Sequence, residues 1–410
     1  MAIVAAYTSP AFGNLFPILA LLIELEQRGH RIVVKTFAGG IDTAGALGFE
    51  SSAIDPRIEA VQMTDWAAPN GRAALKRAFD VFMRRAEYEL DDVRRLVADV
   101  EPDVLVVDAN CWGAASAADA GSAPWVSFWP YTPFLRSRGI PPFGPGLRPW
   151  PGLIGCVRDE ALRPLVAGPL MKSLVLPLNA IRRSEGVRPV RDLDDLLRRP
   201  PLMLVATGEP FEYPHRDWGD AVVLIGPCEF DRPGAAPQWL ADIDRPIVLV
   251  TTSSDRQDDS RLPAAAMAAF ADDRVHVVAT YPCGVPGGLT VPRNATAVGF
   301  VPHGAILGRT VCAITHGGMG ATQKALARGV PVCAVPHGRD QFEVARRIEY
   351  ARCGTRLPVR RLTVDRLKKK AVEAMSMTAG AEAVAAGFRA TGGVARGADV
   401  IESRLLGMSV

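Results

Sequence analysis

The chain has 410 residues, which is too long for one ordinary hydrophobic core and predicts two domains of roughly 100–200 residues each. Apolar residues make up 48% of the sequence and charged residues 22%, a balance typical of a globular protein that folds in water. The net charge of +3 is spread along the chain, so the sequence lacks the concentrated basic patch that binding to nucleic acid or to a membrane surface requires.

Cysteine usage and the N-terminal residues bear on the compartment. The seven cysteines are odd in number and form no CxxC pair, which disfavours a disulfide framework and favours a reducing cytoplasm. The first residues, MAIVAAYTSP, carry no basic leader, and the apolar stretch LFPILALLIELE has about half the length needed to span a bilayer. We therefore expect a soluble cytoplasmic protein.

The first half of the chain alternates strand-like and helix-like segments. AIVAAYT is a short apolar run, after which Pro17 is predicted to open the helix PILALLIELEQRG and Gly29 to close it. Further strand-like runs follow at RIVVKTF, DVLVVD (103–108), WVSFW (125–129), LMLVA (202–206) and VVLIG (222–226). Near-continuous apolar strands separated by helices are typical of a parallel sheet covered on both faces.

Residues 130–175 interrupt this alternation. The stretch PYTPFLRSRGIPPFGPGLRPWPGLIG is rich in proline, glycine and aromatic residues. A long irregular stretch in a compact domain is either functional or disordered, and the aromatic residues argue against disorder. We expect a loop region that borders a pocket.

The second half repeats the alternation after a linker predicted at 227–245, where prolines and glycine precede a new strand. Its strand-like runs are PIVLVTT (246–252), HVVATY (276–281), ATAVGF (295–300), VCAITH (311–316) and VPVCAVP (330–336). Two doubly wound units are therefore predicted, over 1–226 and 246–380. The Ala-rich segment 381–410 has helical character, and we expect it to pack back on the first domain.

The stretch THGGMGATQKALARGVPV (315–332) is the most informative in the chain. A strand runs into His316 and three glycines, and a helix is predicted to begin near Ala321. Glycines let a backbone approach a ligand closely, and a helix N-terminus offers free N–H groups, so this turn suits a phosphate. Taken alone, the turn fits simple helix–sheet packing equally well.

The segments on either side of this turn favour a nucleotide-sugar site. GFVPHGAIL (299–307) lies upstream, where Phe300 offers a flat face to a base. PHGRDQFEVARR (336–347) lies downstream, where Asp340 and Gln341 offer hydrogen bonds to sugar hydroxyls. A base stacker, a phosphate turn and a polyol reader therefore occur close together in the sequence.

The order FVPH, THGGMGATQKAL, PVCAVP and DQ resembles the donor signature of family 1 glycosyltransferases, in particular the bacterial branch that acts on natural products. GNLFPILALLIELEQRGHRIVVKT and EPFEYPHRDWGDAVVLIGP in the first half resemble the same family, so the likeness covers nearly the whole chain. It implies an α/β protein of the GT-B fold, with two Rossmann-like doubly wound domains facing across a cleft. The acceptor would bind the first domain and a dTDP- or UDP-sugar the second, with inversion and without an essential metal or a permanently bound cofactor.

The resemblance also assigns roles to residues of the second domain. Phe300 would stack on the base, the Val301 backbone would bond the base edge, and Asp340 with Gln341 would read the sugar. The diphosphate would be held by His316 and by Gly318, Met319, Gly320, Ala321 and Thr322. A hydroxyl-bearing turn after the first strand of this domain corresponds to Ser253 and Ser254. His303 would touch the ribose or simply face solvent.

Two positions of the second domain depart from the family pattern. Lys324 stands where many relatives have a Glu that clasps both ribose hydroxyls, and a Lys accepts no such bonds, which favours a dTDP-sugar over a UDP-sugar. His337 stands where a Trp is common. In the first domain, five aromatic residues are candidates for the acceptor-binding wall: Trp112, Phe128, Trp129, Tyr131 and Phe134.

The catalytic position departs as well. In the family the first turn reads Gly, His, two residues, Pro, and the His takes the acceptor's proton while an Asp orients it. Here the frame is GNLFP, with Asn14 in place of the His, and Asp108 corresponds to the orienting Asp. An amide takes no proton at neutral pH, so the base is absent.

Three explanations stay open at this point. Asp108 acts as the base, directly or through water. Alternatively, the acceptor is already acidic, as a phenol or polyketide enol is, and the linkage formed is O-, N- or C-glycosidic. In the third explanation, the protein binds donor or acceptor without transferring a sugar. A sugar-nucleotide epimerase on this architecture is disfavoured, because it needs no large hydrophobic acceptor pocket. The partners we expect are a small-molecule donor and an aglycone, without nucleic acid or membrane, and a homodimer is left open.

Overall fold

A computed structural model describes residues 1–166, 168–232, 234, 236–255, 257 and 259–408. Positions 233 and 235 of the predicted linker and 409–410 of the predicted C-terminal segment thus lie outside the described residues. Each half of the chain forms a parallel sheet covered by helices. The predicted α/β fold with two doubly wound domains is confirmed.

The first sheet contains seven strands within the described residues, in the order β3-β2-β1-β4-β5-β6-β7. The strands are β1 (Ile3–Tyr7), β2 (Arg31–Thr36), β3 (Glu50–Ala53), β4 (Val104–Asp108), β5 (Trp125–Trp129), β6 (Leu202–Val205) and β7 (Val222–Leu224). All pairs are parallel, with Ala5 opposite Val33 on one side and Leu105 on the other. Strands β4, β5 and β6 are buried throughout, because helices cover both faces.

Helices of the first domain connect these strands. They are α1 (Phe12–Gln27), α2 (Ala38–Gly45), α3 (Pro56–Ala60), α4 (Gly71–Val100), α5 (Trp112–Ala120), α6 (Gly152–Val166), α7 (Gly168–Ser184) and α8 (Leu193–Leu197). Helix α1 begins at Phe12, five residues before Pro17, which the sequence predicts as its first residue. Proline removes one backbone hydrogen bond inside the helix, and the helix tolerates this loss because its apolar face is buried.

The second sheet contains six strands in the described part of the chain, in the order β10-β9-β8-β11-β12-β13 and all parallel. The strands are β8 (Ile247–Thr251), β9 (His276–Thr280), β10 (Ala295–Val298), β11 (Thr310–Thr315), β12 (Val332–Ala334) and β13 (Gly354–Arg356). The helices are α9 (Arg261–Ala269), α10 (His303–Leu307), α11 (Met319–Leu326), α12 (Gln341–Tyr350), α13 (Val364–Met375), α14 (Thr378–Thr391) and α15 (Gly393–Arg404).

The strand order reverses direction at one point in each sheet. In the first sheet, β1 lies between β2 and β4, and in the second, β8 lies between β9 and β11. Crevices for ligands form at the carboxyl ends of strands at such switch points. Asp108 ends β4, Asn14 lies in the first turn of α1 after β1, and Ser253 and His316 follow β8 and β11. The topology therefore brings the predicted site residues to the two facing edges.

The region predicted as a loop over 130–175 is irregular only in its first part. From Gly152 onward it forms α6 and α7, each of which holds a proline in its interior, Pro164 and Pro177. The prolines and glycines hid this helical pattern in the sequence. The loop proper therefore ends at residue 151.

The C-terminal helix α15 lies against α1 of the first domain. Arg28, just after α1, donates to Asp399 at 2.7 Å and to Glu402 at 2.6 Å. Gly397 sits so close to Leu21 that an added Cβ would come within 2.9 Å of its side chain. The chain thus returns to its starting domain after completing the second.

A buried ion pair ties the two domains together. Glu212, which follows β6, is fully buried and accepts hydrogen bonds from Arg347 of α12 at 2.8 Å and from Thr132 at 2.7 Å. Burial alone would raise the pKa of Glu212, but Arg347 and His215 outweigh it and lower the pKa to about 2. The guanidinium of Arg347 also stacks 4.2 Å from the Tyr213 ring.

We predict that Arg347→Met lowers the free energy of unfolding by about 3–5 kcal/mol at pH 7, because it strands a buried charge at Glu212. The folded pKa of about 2 lies below the usual 4.5, so the pair's contribution is complete above pH 4.5 and is lost as the pH falls toward 2. Urea unfolding midpoints at pH 7 and at acid pH measure both effects.

The matched control is Arg31→Met, whose exposed pair with Glu50 is screened by solvent and should contribute far less to the free energy of unfolding. Equal losses for the two variants, or a loss at Arg347 that does not shrink in acid, would contradict the assignment.

Candidate active site

One cavity of about 820 Å³ lies between the domains and is lined from both. The first domain contributes the segments after β1 and β4 and a largely buried side of α4. The second contributes the turns after β8 and β11 and the start of α12. Residues of the carboxyl edges of both sheets therefore meet around one space, in which two ligands from opposite sides can come into contact.

The carboxylate of Asp108 anchors the first-domain end of the cavity. Its Oδ2 accepts hydrogen bonds from the backbone N–H of Ser9 at 2.9 Å and from the Ser9 hydroxyl at 2.5 Å. Its Oδ1 accepts from the side-chain amide of Asn14 at 2.7 Å and from the Asn110 N–H at 3.0 Å. Burial raises the pKa of Asp108, and these hydrogen bonds oppose the rise.

Asp108 lies behind the cavity wall, whereas Asn14 and Ser9 form part of that wall. Asp108 is 1% exposed and Asn14 is 8% exposed. Nδ2 of Asn14 donates to Asp108. The Oδ1 of Asn14 has no hydrogen bond within the described residues, so it is left for a ligand. The group facing the ligand is therefore an acceptor of hydrogen bonds that does not take a proton.

The first-domain wall is aromatic. The rings that line the cavity belong to Phe12, Phe16, Phe37, Phe79, Phe82, Tyr131, Phe134 and Phe143. Of the five predicted wall residues, Tyr131 and Phe134 lie on this wall. The hydroxyl of Tyr131 donates to Asn110 Oδ1 at 2.6 Å, and burial raises the pKa of Tyr131.

The other three predicted wall residues lie in the core. Phe128 and Trp129 belong to β5, which is buried on both faces, and Trp129 Nε1 donates to Ser127 at 2.9 Å. Trp112 packs behind the wall, with its ring 5.3 Å from that of Phe79 and 5.7 Å from that of Phe82. Those two phenylalanines of α4 take the place predicted for Trp112. The spacing of apolar residues between 71 and 100 was the signal that would have found them.

The turn before α11 forms the facing wall. Gly317 has φ of +86°, and a Cβ built on Gly318 would lie 2.3 Å from Nε2 of His316, so glycine is required at both positions. Burial lowers the pKa of His316 to about 4, so the ring is neutral at pH 7, and its buried Nδ1 has no partner among the described residues.

This wall fits an anion. The first turn of α11 holds no acidic residue, and its N–H groups and positive dipole end face the cavity beside His316. Gly318, Met319, Gly320 and Ala321 line the space, whereas Thr322 is fully buried beneath them. A diphosphate is the natural guest of such a turn.

Phe300 and Lys324 mark another end of the cavity. Phe300 is 51% exposed, and the guanidinium of Arg232 lies 5.8 Å from its ring. The backbone N–H and C=O of the adjacent Val301 form no hydrogen bond within the part of the chain that the structure describes. Lys324 donates to Asp231 Oδ1 at 2.6 Å, and burial lowers the pKa of the nearby His303 to about 4.

The two residues predicted to bind the sugar, Asp340 and Gln341, differ in whether their side chains already form hydrogen bonds. Asp340 lines the cavity with no side-chain hydrogen bond to any described residue, and burial raises its pKa to about 6. Gln341 is already engaged, because its Oε1 accepts from the N–H groups of His337 and Gly338 and its Nε2 donates to Gln257 at 2.7 Å. Its amide therefore shapes the 337–338 turn, whose two residues do not line the cavity.

The turn after β8 is also organised internally. The Ser253 N–H donates to Asp259 at 2.6 Å and its hydroxyl accepts from the Asp255 N–H at 3.2 Å, while Ser254 is exposed to the cavity.

Sequence reasoning missed Arg339, which bridges the cleft: it donates to Asp65 of the first domain at 2.7 Å and to Asp255 at 2.9 Å. It lies next to Asp340 and fixes the position of that turn.

Known proteins share this arrangement over the whole chain. The chain is 31% identical over 386 residues to 4'-demethylrebeccamycin synthase of Lentzea aerocolonigenes, which covers 90% of both proteins. Residues 264–392 match the family described as erythromycin biosynthesis protein CIII-like, C-terminal domain. The chain belongs to the bacterial natural-product glycosyltransferases.

Solved structures of glycosyltransferases have the same GT-B fold. The glycosyltransferase of kitacinnamycin matches 98% of each chain with a TM-score of 0.73 and 24% identity. The glycosyltransferase VinC, solved in complex with dTDP, matches 99% of this chain and 100% of its own with a TM-score of 0.70 and 20% identity. Among the described residues, no helix is long and apolar enough to cross a membrane.

We predict that Gly318→Ala weakens the binding of a nucleoside diphosphate to this glycosyltransferase by about 10–100-fold. The added Cβ forces the His316 ring away from the phosphate turn, at the expense of hydrogen bonds to a charged group. Isothermal titration with dTDP measures the effect.

Gly308→Ala is the control, because nothing lies within 4 Å of a Cβ built there. An unchanged dissociation constant in Gly318→Ala would show that the turn does not hold the diphosphate.

Proposed function

We propose that this glycosyltransferase moves a sugar, with inversion, from a dTDP-sugar to an acidic hydroxyl of an aromatic natural product, a phenol or an enol. The observation that carries the proposal is the Asn14–Asp108 pair. An amide occupies the place of a general base, and the carboxylate to which it is hydrogen-bonded, Asp108, lies behind the wall.

Asp108 is poorly suited to replace the base. Each of its oxygens already accepts two hydrogen bonds, which leaves no lone pair for an acceptor's proton. Ser9 and Asn14 also separate Asp108 from the cavity. Asp108 therefore acts as a positioning residue that fixes the orientation of the Asn14 amide.

An acidic acceptor makes a base unnecessary. Loss of a general base costs roughly 10²–10⁴-fold in rate. A phenol has a pKa near 10 and loses its proton far more readily than an aliphatic alcohol. Asn14 Oδ1 then holds the hydroxyl by a hydrogen bond, and the aromatic wall binds the ring system.

The donor end favours deoxyribose. Lys324 and Asp231 bind each other at 2.6 Å, so the position that would clasp two ribose hydroxyls is occupied by an ion pair. The relative VinC was solved with dTDP. Asp340, the free carboxylate at the sugar end, is positioned to accept hydrogen bonds from the sugar.

The two facing walls support inversion. The diphosphate would lie at the α11 turn, and the acceptor would approach from the aromatic wall opposite. The acceptor oxygen forms a bond to the anomeric carbon as the bond to the diphosphate oxygen breaks, and the acceptor's proton passes to solvent. The N–H groups of the turn and His316 stabilise the charge on the leaving diphosphate.

We predict that Asn14→His raises transfer to an aliphatic alcohol by at least about 10²-fold, because the imidazole supplies the missing base, and changes transfer to a phenol far less. Product formation from dTDP-sugars with a panel of phenols and aliphatic alcohols, followed by mass spectrometry, measures both rates.

Asn14→Ala is the matched control and should reduce phenol transfer only by about tenfold, the worth of one hydrogen bond. Fast sugar transfer to aliphatic alcohols by the unaltered enzyme would contradict the proposal. Tight dTDP binding without transfer to any acceptor would favour a binding protein without catalytic activity.

A further inference from the structure

Arg85 is a buried cation on the acceptor side of the cavity. It lies on α4, is 6% exposed and lines the cavity wall. Its Nε and Nη2 both donate to the backbone carbonyl of Val61, at 3.1 and 2.6 Å. These bonds fix the plane of the guanidinium and leave Nη1 without a hydrogen bond to any described residue.

No carboxylate in the described part of the chain forms an ion pair with Arg85. Glu89, one turn further along α4, accepts instead from the N–H groups of Gly113 and Ala114. Burial raises the pKa of Glu89 to about 8, so it is largely uncharged at pH 7. Glu89, Asp255 and Asp108 act on Arg85 only through space. A buried guanidinium with no carboxylate in hydrogen-bonding contact is costly, which points to a partner that arrives with a ligand.

The surroundings of Arg85 indicate where that ligand lies. Phe82 and Phe79 precede Arg85 by one and two turns of α4 and line the same wall. A ring system that packs against these phenylalanines would reach the guanidinium at its edge. The turn before α11, proposed to hold the diphosphate, belongs to the opposite domain.

A second arginine of α4 shows what a purely structural role looks like. Arg77 also donates to a backbone carbonyl, that of Thr64 at 3.2 Å, yet it lies outside the cavity and is partly exposed. Holding the segment before α4 therefore does not require a buried guanidinium. The planar fork of Arg85 is suited to a carboxylate.

We propose that Arg85 determines acceptor specificity by pairing with a carboxylate that the aromatic acceptor carries apart from the hydroxyl that receives the sugar. This inference rests on the proposed function and narrows its acceptors to phenolic or enolic acids. Arg85 does not act on the reacting atoms.

The test compares two acceptors that differ only in this charge: a hydroxyaryl acetic acid and its acetamide. The methylene spacer keeps their phenol pKa values nearly equal. We expect the unaltered enzyme to prefer the acid by about 10–100-fold in kcat/KM, the worth of a charge-assisted hydrogen bond. Arg85→Met should erase the preference while transfer to the amide changes by less than about threefold.

Arg77→Met is the control and should keep the preference. A preference that survives in Arg85→Met, or its absence in the unaltered enzyme, would overturn the proposal. Equal losses on the acid and the amide would also overturn it, because they would mean that Arg85 acts on the reacting group or on folding.

Equilibrium binding separates this proposal from the proposed function. If the unaltered protein transfers sugar to neither phenol, the proposed function fails. Arg85 is then tested by titrating the acid and the amide into the dTDP-bound protein. Tighter binding of the acid, lost in Arg85→Met and partly kept in Arg85→Lys, supports the Arg85 site, and equal binding refutes it.

Discussion

The hydrogen bonds around Asp108 are the constraint on which the active site depends. The carboxylate ends β4 and receives the N–H and hydroxyl of Ser9 from the turn after β1, so it joins the two strands at the switch point of the first sheet. Its remaining bonds hold the amide of Asn14 in one orientation. We propose that an amide so held accepts a hydrogen bond from a substrate but no proton, so the substrate itself must be acidic.

The cavity exists because contacts on both sides hold the domains face to face. The buried pair of Glu212 and Arg347 fixes the position of α12, and Arg339 at the start of that helix bridges to Asp65 across the cleft. Asp340 lies between these contacts, so the sugar end of the site is set by the same interactions that set the spacing of the domains. The aromatic wall and the turn before α11 therefore line the same cavity from opposite domains.

The sequence predicts the sheets and the glycine turn before α11 well, because both depend on local patterns. Buried parallel strands appear as apolar runs, and glycines before a helix mark the phosphate turn at His316. The acceptor wall is harder to predict from the sequence, since aromatic residues occur equally well in a hydrophobic core. Trp112 lies behind Phe79, and only tertiary packing decides which of the two faces the cavity. The hydrogen bond of Gln341 to Gln257 and the bonds that fix Arg85 against Val61 likewise arise from contacts distant in sequence.

The most direct test of this account is the pH dependence of kcat/KM for the unaltered enzyme with two phenols of different pKa. If the acceptor's own acidity replaces a general base, the rate should rise with the ionisation of each phenol, and its midpoint should move with the phenol's pKa. A midpoint that stays at one pH for both phenols would report a titrating base on the enzyme and would contradict the role assigned to Asn14 and Asp108.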